Sequence, residues 1–247
     1  GQPLLTGTGL CDEFGMRRTP PGFDEAGIGG LFLKPGVGLL KKNRAGEYDF
    51  FHPYPVEVFL KTETLRETDR ITFIQQIDDF RNFGYRYTKQ YRWEKNRSRL
   101  IIQYELTNIG RKPLVTDQYN HNFFSFGRRL PGKRYRLHTD FTAEPVQRSG
   151  AWCDYRQRVF SGFRTIPPGC YLTSTARIAA RMNRCELSHP DFPWTMEIGG
   201  DFDSPKFAIS FKEGEYISPE IFIEIQLNPG DSRRWSRIYQ LHRYEAR

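Results

Sequence analysis

Leu100-Ile101-Ile102-Gln103-Tyr104-Glu105-Leu106-Thr107 alternates with a period of two. Leu100, Ile102, Tyr104 and Leu106 fall on one face, and Ile101, Gln103, Glu105 and Thr107 on the other. A helix repeats its apolar positions every 3.6 residues, so this stretch is a strand. Just upstream, Tyr85, Tyr87, Lys89, Tyr91 and Trp93 share one parity and Arg86, Thr88, Gln90 and Arg92 the other. Between the two runs stands the polar stretch Glu94-Lys95-Asn96-Arg97. Polar residues of this kind suit a tight reversal, which predicts a hairpin of Phe83–Trp93 with Arg99–Thr107.

The same grammar extends in both directions. Val56–Leu60 and Ile71–Ile77 are rich in β-branched and aromatic residues, as pleated strands prefer. Downstream of a turn at Asn108–Pro113, strands are expected at Leu114–Phe126, Arg134–His138 and, as one long strand, Arg156–Ile166. Tyr171–Ala179, Arg181–Leu187, Lys206–Phe211 and Ile221–Leu227 continue the series. Asn228-Pro229-Gly230-Asp231 is a strong turn, and Arg234–His242 reads as a closing strand. Short helical pieces are expected only at Asp78–Asn82 and around Ser188–Phe192. Residues 1–26 carry no sustained period and read as an N-terminal arm or loops. Many strands spaced by turns, with almost no helix, predict an all-β antiparallel sandwich or barrel. With no linker-like stretch and no repeat, 1–247 is expected to be a single domain.

Composition narrows the class. The 247 residues include 37 basic and 29 acidic side chains, a formal charge of +8, and 15% are aromatic. That aromatic content can bury enough area to offset chain entropy, which excludes a disordered chain. No apolar run is long enough for a membrane span. The basic residues are scattered, which fits either solvated faces or a groove for an acidic ligand. Nucleic acid is not an expected partner, because no helix-turn-helix, zinc-finger or RNP pattern accompanies the charge. Cys11, Cys153, Cys170 and Cys185 form no C-x-x-C pair, so no metal site is expected; three full disulfide pairings and free thiols all remain open. The start Gly1-Gln2-Pro3 fits a removed signal peptide or a trimmed start, and the expectation is an exported protein, periplasmic or secreted, with a cytoplasmic one as the alternative. G-x-S-x-G, P-loop, G-x-G-x-x-G and H-E-x-x-H motifs are absent, and no cofactor is expected.

Three stretches could carry chemistry. Asn120-His121-Asn122-Phe123-Phe124 sets a histidine among amide and aromatic side chains at a strand end. A satisfied structural histidine fits that setting, and so does a general acid with an ordinary pKa of ~6.5. Tyr48-Asp49-Phe50-Phe51-His52-Pro53-Tyr54 suits either a packed turn or a sugar-stacking rim. Ser218-Pro219-Glu220 leads into a strand on which Glu220, Phe222, Glu224 and Gln226 share parity. A carboxylate there reads either as an exposed sheet face or as a general base.

Taken together, Tyr104-Glu105-Leu106-Thr107-Asn108-Ile109-Gly110, then Pro113, then Asn120-His121-Asn122-Phe123-Phe124, resemble the galactose mutarotase (aldose 1-epimerase) superfamily. There a Leu-Thr-Asn-x-Gly-x-x-Pro turn precedes an Asn-His-x-aromatic-Phe segment. Leu227-Asn228-Pro229-Gly230-Asp231 followed by Trp235 resembles that family's last turn and closing strand. The resemblance runs from about Gly27 to the C-terminus. It implies an antiparallel β-supersandwich that binds a sugar in an open groove and interconverts anomers without cofactor or metal. By motif match His121 would be the acid. Glu220 is the expected base, with Glu224 in reserve. By analogy His52, Arg86, Asn120 and Glu224 would contact the sugar, and Lys41 or Lys42 could reach the groove. The expected ligand is a monosaccharide or oligosaccharide, and the basic surplus admits an acidic one. A non-catalytic carbohydrate-binding protein of the same fold is the other reading. The chain departs from the family in two places: the usual His-Gly reads His52-Pro53, and the usual Glu-Pro reads Pro219-Glu220.

Overall fold

A computed structural model describes residues 6–127, 129–147, 151–165, 170–174 and 177–243. The described residues form twenty strands. In chain order they are β1 (Thr6–Phe14), β2 (Leu31–Lys34), β3 (Gly38–Lys41), β4 (Val56–Phe59), β5 (Thr62–Arg66), β6 (Arg70–Phe80), β7 (Phe83–Glu94), β8 (Arg99–Asn108), β9 (Leu114–Ser125) and β10 (Arg136–Thr139). There follow β11 (Pro145–Gln147), β12 (Asp154–Arg156), β13 (Val159–Ser161), β14 (Cys170–Ser174), β15 (Arg184–Ser188), β16 (Trp194–Gly200), β17 (Phe207–Lys212), β18 (Tyr216–Ile221), β19 (Ile223–Leu227) and β20 (Ser232–Arg243). Two 3₁₀ turns, Lys95–Arg97 and Ala180–Met182, are the helical elements among the described residues. Neither is long and apolar enough to cross a membrane.

Two large antiparallel sheets face each other. A seven-stranded sheet runs β1-β9-β18-β17-β14-β11, with β19 also on β9, and a ten-stranded sheet runs β12-β13-β10-β15-β16-β20-β8-β7-β6-β5. A third, three-stranded sheet holds β2, β3 and β4. The main core lies between the large sheets. Ile102, Tyr104, Leu106, Trp235 and Tyr239 come from the ten-stranded side, and Phe207, Ile209, Phe211, Ile217 and Ile225 from the other. Each such side chain, fully buried, stabilises the fold by about 1.5–3 kcal/mol relative to exposure. The alternation in β8 is what faces Ile102, Tyr104 and Leu106 inward while Gln103 stays exposed.

The two motifs read in the sequence meet in space. The buried Asn108 side chain donates to the carbonyls of Lys112 and Leu227, at 2.9 and 3.0 Å, and accepts from the Gly110 N–H. The Asn108 N–H donates to Asp231 O, and the Gly230 N–H to Asn108 O. One asparagine therefore fastens the turn after β8 to the turn before β20. Gly110 is required there: a Cβ would lie 2.3 Å from Gly84 N and 2.7 Å from Asn82 O.

Several expected elements differ. Residues 6–14 of the expected arm form β1, which pairs with β9 and places Cys11 opposite His121. Asp78–Asn82 is not helical: β6 runs to Phe80, and Arg81 and Asn82 turn the chain at positive φ (56° and 69°). Ser188 ends β15, and the following turn closes by Phe192 N–H to His189 O. The long strand expected at Arg156–Ile166 is the hairpin β12–β13, turning at Gln157 and Arg158 with φ of 48° and 65°; residue 166 lies outside the described residues. Two-residue hairpins need positive φ at both central positions, usually supplied by Asn-Gly or Asp-Gly. Arg81-Asn82 and Gln157-Arg158 lack glycine, so the sequence signal was missing. Within 171–179 the strand ends at Ser174, and within 181–187 a 3₁₀ turn precedes β15.

Candidate functional site

Strand β9 carries a different chemistry on each face. Gln118, Asn120, Asn122 and Phe124 point into the sandwich, while Asp117, Tyr119, His121 and Phe123 point out. Register brings Glu220 and Phe222 to the same outer face from the chain of β18 and β19, and Cys11 and Glu13 from β1. Phe222 stacks on Tyr119 at 4.4 Å, and Met16, Phe50 and Tyr171 pack against the pair. His121 stacks on Phe123 at 4.9 Å, and Tyr216 meets the edge of Phe123.

Within this aromatic setting the polar groups form a chain. His121 Nδ1 lies 2.7 Å from Glu220 Oε1. A carboxylate only accepts, so Nδ1 carries the proton. In the neutral ring Nε2 is then the acceptor, and the Tyr119 hydroxyl donates to it at 3.1 Å. Burial first, and the Glu220 charge second, push the Tyr119 hydroxyl well above the usual phenol range, which keeps it a donor. Ser218 Oγ donates to Glu220 Oε1 at 3.0 Å, and itself accepts from the Asn122 backbone N–H at 2.8 Å. The Asn122 amide donates to Pro219 O. Glu220 is 1% exposed and the His121 side chain 27%. The imidazole is thus the member of the pair that meets solvent. Four residues away on the same face of β9, Asp117 is fully buried, and burial raises its carboxyl above the usual range.

No family model matches the chain, and no curated protein matches it in sequence. Solved structures do match in shape. A galactose mutarotase-like protein from Lactobacillus casei ATCC 334 aligns with a TM-score of 0.56 at 14% identity, covering 94% of this chain and 85% of that one. A galactose mutarotase-like protein from Clostridium acetobutylicum gives 0.57 at 10% identity, covering 96% and 80%. A putative aldose 1-epimerase from Escherichia coli K12 gives 0.55 at 11% identity, covering 87% and 79%.

The chain has the galactose mutarotase-like fold.

On this galactose mutarotase-like sandwich the expected site residues separate. His121 and Glu220 come together, from strands far apart in sequence. Glu224 shares their face but sits further along, where Arg17 and Arg18 pair with it at 3.0 and 3.3 Å. Asn120 has the opposite parity. It is fully buried, donates to the Tyr104 and Tyr239 hydroxyls, and ties β9 to the ten-stranded sheet. His52 bonds Asn43 at 2.8 Å and packs on Tyr54; Phe50 of its loop, not His52, reaches the Tyr119 cluster. Arg86 lies exposed on the ten-stranded sheet, paired in register with Gln76 and Thr107. Lys41 pairs with Glu57, and Lys42 binds Phe23 O.

Tyr119, Ser218, Phe123 and Cys11 were missed as site residues. Parity could have found three of them, since Tyr119 and Phe123 stand two residues from His121, and Ser218 two from Glu220. Cys11 had no signal, because its neighbour His121 is fixed only by pairing of β1 with β9. Among the described residues no cluster of three or more His, Cys, Asp or Glu is arranged to hold a metal ion.

Proposed function

We propose that the chain binds a sugar on the His121 face and interconverts its anomers by proton transfer through His121. The observation that carries this reading is the hydrogen-bonded pair of His121 and Glu220 on an aromatic, solvent-facing sheet. Aromatic faces stack on the C–H faces of a sugar ring, and imidazole is the side chain whose chemistry suits both giving and taking a proton. In the neutral state the Tyr119 hydroxyl gives up its place on Nε2, which takes the anomeric hydroxyl proton to become imidazolium, while a water gives a proton to the ring oxygen and is left as hydroxide until closure returns both protons. The C1–ring oxygen bond breaks to leave an open-chain aldehyde. Rotation about the adjoining bond and reversal of both proton transfers closes the other anomer. Glu220, buried behind the ring, acts through His121: it holds the tautomer and stabilises the imidazolium. This differs from the expectation that Glu220 itself meets the anomeric hydroxyl, because its carboxylate lies beneath the surface.

The second reading is carbohydrate binding without turnover. It is favoured by one observation, that both ring nitrogens of His121 already have protein partners. Anomer exchange followed by NMR, with freshly dissolved α-glucose, α-galactose and galacturonate, decides between them. Exchange above the uncatalysed rate that disappears in His121→Ala supports the first reading. Unaccelerated exchange together with measurable sugar binding supports the second.

A further inference from the structure

A charged pair lies where a sandwich core should be apolar. Strand β7 turns Tyr85, Tyr87, Lys89 and Tyr91 inward, so Lys89 follows the tyrosines into the interior. Its ammonium pairs with Asp12 of β1, and each side chain is only 13% exposed. Asp12 also accepts from the hydroxyls of Tyr87 at 3.1 Å and Tyr104 at 3.0 Å. Burial works against the Lys89 ammonium, and Asp12 and Tyr91 outweigh it, so the Lys89 pKa is raised above its ordinary value. A buried ion pair is poor value as a stabiliser, because desolvating two charges consumes most of their attraction.

The pair borders empty space. A cavity of about 270 Å³ opens between β1, the turn joining β2 to β3, and the β5–β7 end of the ten-stranded sheet. Phe73, Tyr87 and Tyr91 supply aromatic walls, and Asp12, Lys89 and Gln75 supply polar groups. Thr62, exposed on β5, stands at its margin. An adjoining cavity of about 220 Å³ shares Asp12, Gly36, Tyr87 and Lys89, and is bounded by Cys11 and Glu13 of the His121 face.

We propose that the Asp12–Lys89 cavity is a second ligand site, taking one neutral, hydroxyl-rich ring such as a sugar unit. The two charges cancel, so a free anion gains little from Lys89 that Asp12 does not oppose. What the site offers is an acceptor and a donor at fixed spacing beside aromatic faces. A ring hydroxyl is both donor and acceptor, and the ring's C–H faces fit the aromatic walls. The size suits one ring rather than a longer chain. The site uses no residue of the His121–Glu220 pair and stands whether or not that pair turns sugars over.

Amide NMR with methyl α-glucoside and methyl α-galactoside tests the site, with sulfate as the ionic control. Either sugar is expected to shift the amides of Gly36, Gln75 and Lys89. Thr62→Trp crowds the margin from an exposed position and is expected to weaken those shifts roughly ten-fold or more, the loss of about one strong contact. Asp12→Asn with Lys89→Met keeps the shape without the charges and is expected to do the same, with a dispersed spectrum reporting an intact fold. The proposal is overturned if neither sugar moves these amides, if sulfate alone moves them, or if both variants bind as the parent does.

Discussion

Glu220 Oε1 receives two donors, His121 Nδ1 at 2.7 Å and Ser218 Oγ at 3.0 Å, and so stands at the centre of the site although it is almost fully buried. The carboxylate touches the solvent-facing ring from behind and is held from behind in turn. That relay ranks the effects expected of substitutions.

His121→Ala removes the group that meets solvent, at a partly exposed position where the fold tolerates truncation. Anomer exchange is expected to fall by about 10²–10⁴-fold, the range for loss of a general acid–base group. Glu220→Gln keeps the shape but removes the charge that supports an imidazolium. Its pH–rate profile should move to lower pH along with the fall in rate. A profile that merely loses amplitude without moving would show that Glu220 is not coupled to His121.

Ser218→Ala takes one donor from Glu220 and leaves the buried Asn122 N–H without its acceptor. An unsatisfied buried donor costs about 1–3 kcal/mol. Urea unfolding should show a lower midpoint with an unchanged slope.

Asp117 gives a pH signature. Burial raises its folded-state carboxyl, and Oδ2 has no hydrogen-bond partner in the structure. A folded pKa above the unfolded one favours folding while the group is protonated, and that contribution is lost as pH rises through the folded value. Asp117→Asn should therefore be more stable than the parent at neutral pH, with the gap closing as the medium is acidified. Its amide oxygen can still accept from the Arg17 N–H that Asp117 Oδ1 holds at 3.0 Å. Thermal melts across pH check this, and an unchanged melting temperature at neutral pH would refute it.

Gly110→Ala forces a methyl group against Gly84 N and Asn82 O, both backbone atoms that cannot swing away. The Asn108 junction beside it should open, with a loss of several kcal/mol in denaturant unfolding, at the severe end for one substitution. Gly214→Ala is a contrast for crowding, because a Cβ there meets nothing within 4 Å, although its φ of 78° adds backbone strain.

The hairpin of β7 and β8 was legible because residues local in sequence carry both the alternation and the turn. The same holds for β9, β17 and the turn at Asn228–Asp231. Arg81-Asn82 and Gln157-Arg158 were not legible, since both reach positive φ without a glycine, held there by the strands on either side. β1 was hidden too. An edge strand that starts Thr6-Gly7-Thr8-Gly9 has little pattern of its own, and its pairing with β9 defines it.

The candidate site divides along the same line. Local pattern alone determined the all-β character, the parity of β9 and the two motifs now joined at Asn108, because strand alternation and turn chemistry are written in neighbouring residues. It also marked His121 and Glu220 separately. Tertiary structure decided that these two touch, that Arg86 lies on the other sheet, that Asn120 faces the core, and that Lys89 meets Asp12 inside the sandwich. Each of those facts depends on which strands pair and which sheets face each other. Such pairings are settled by burial of the whole core, and no stretch of ten residues contains them.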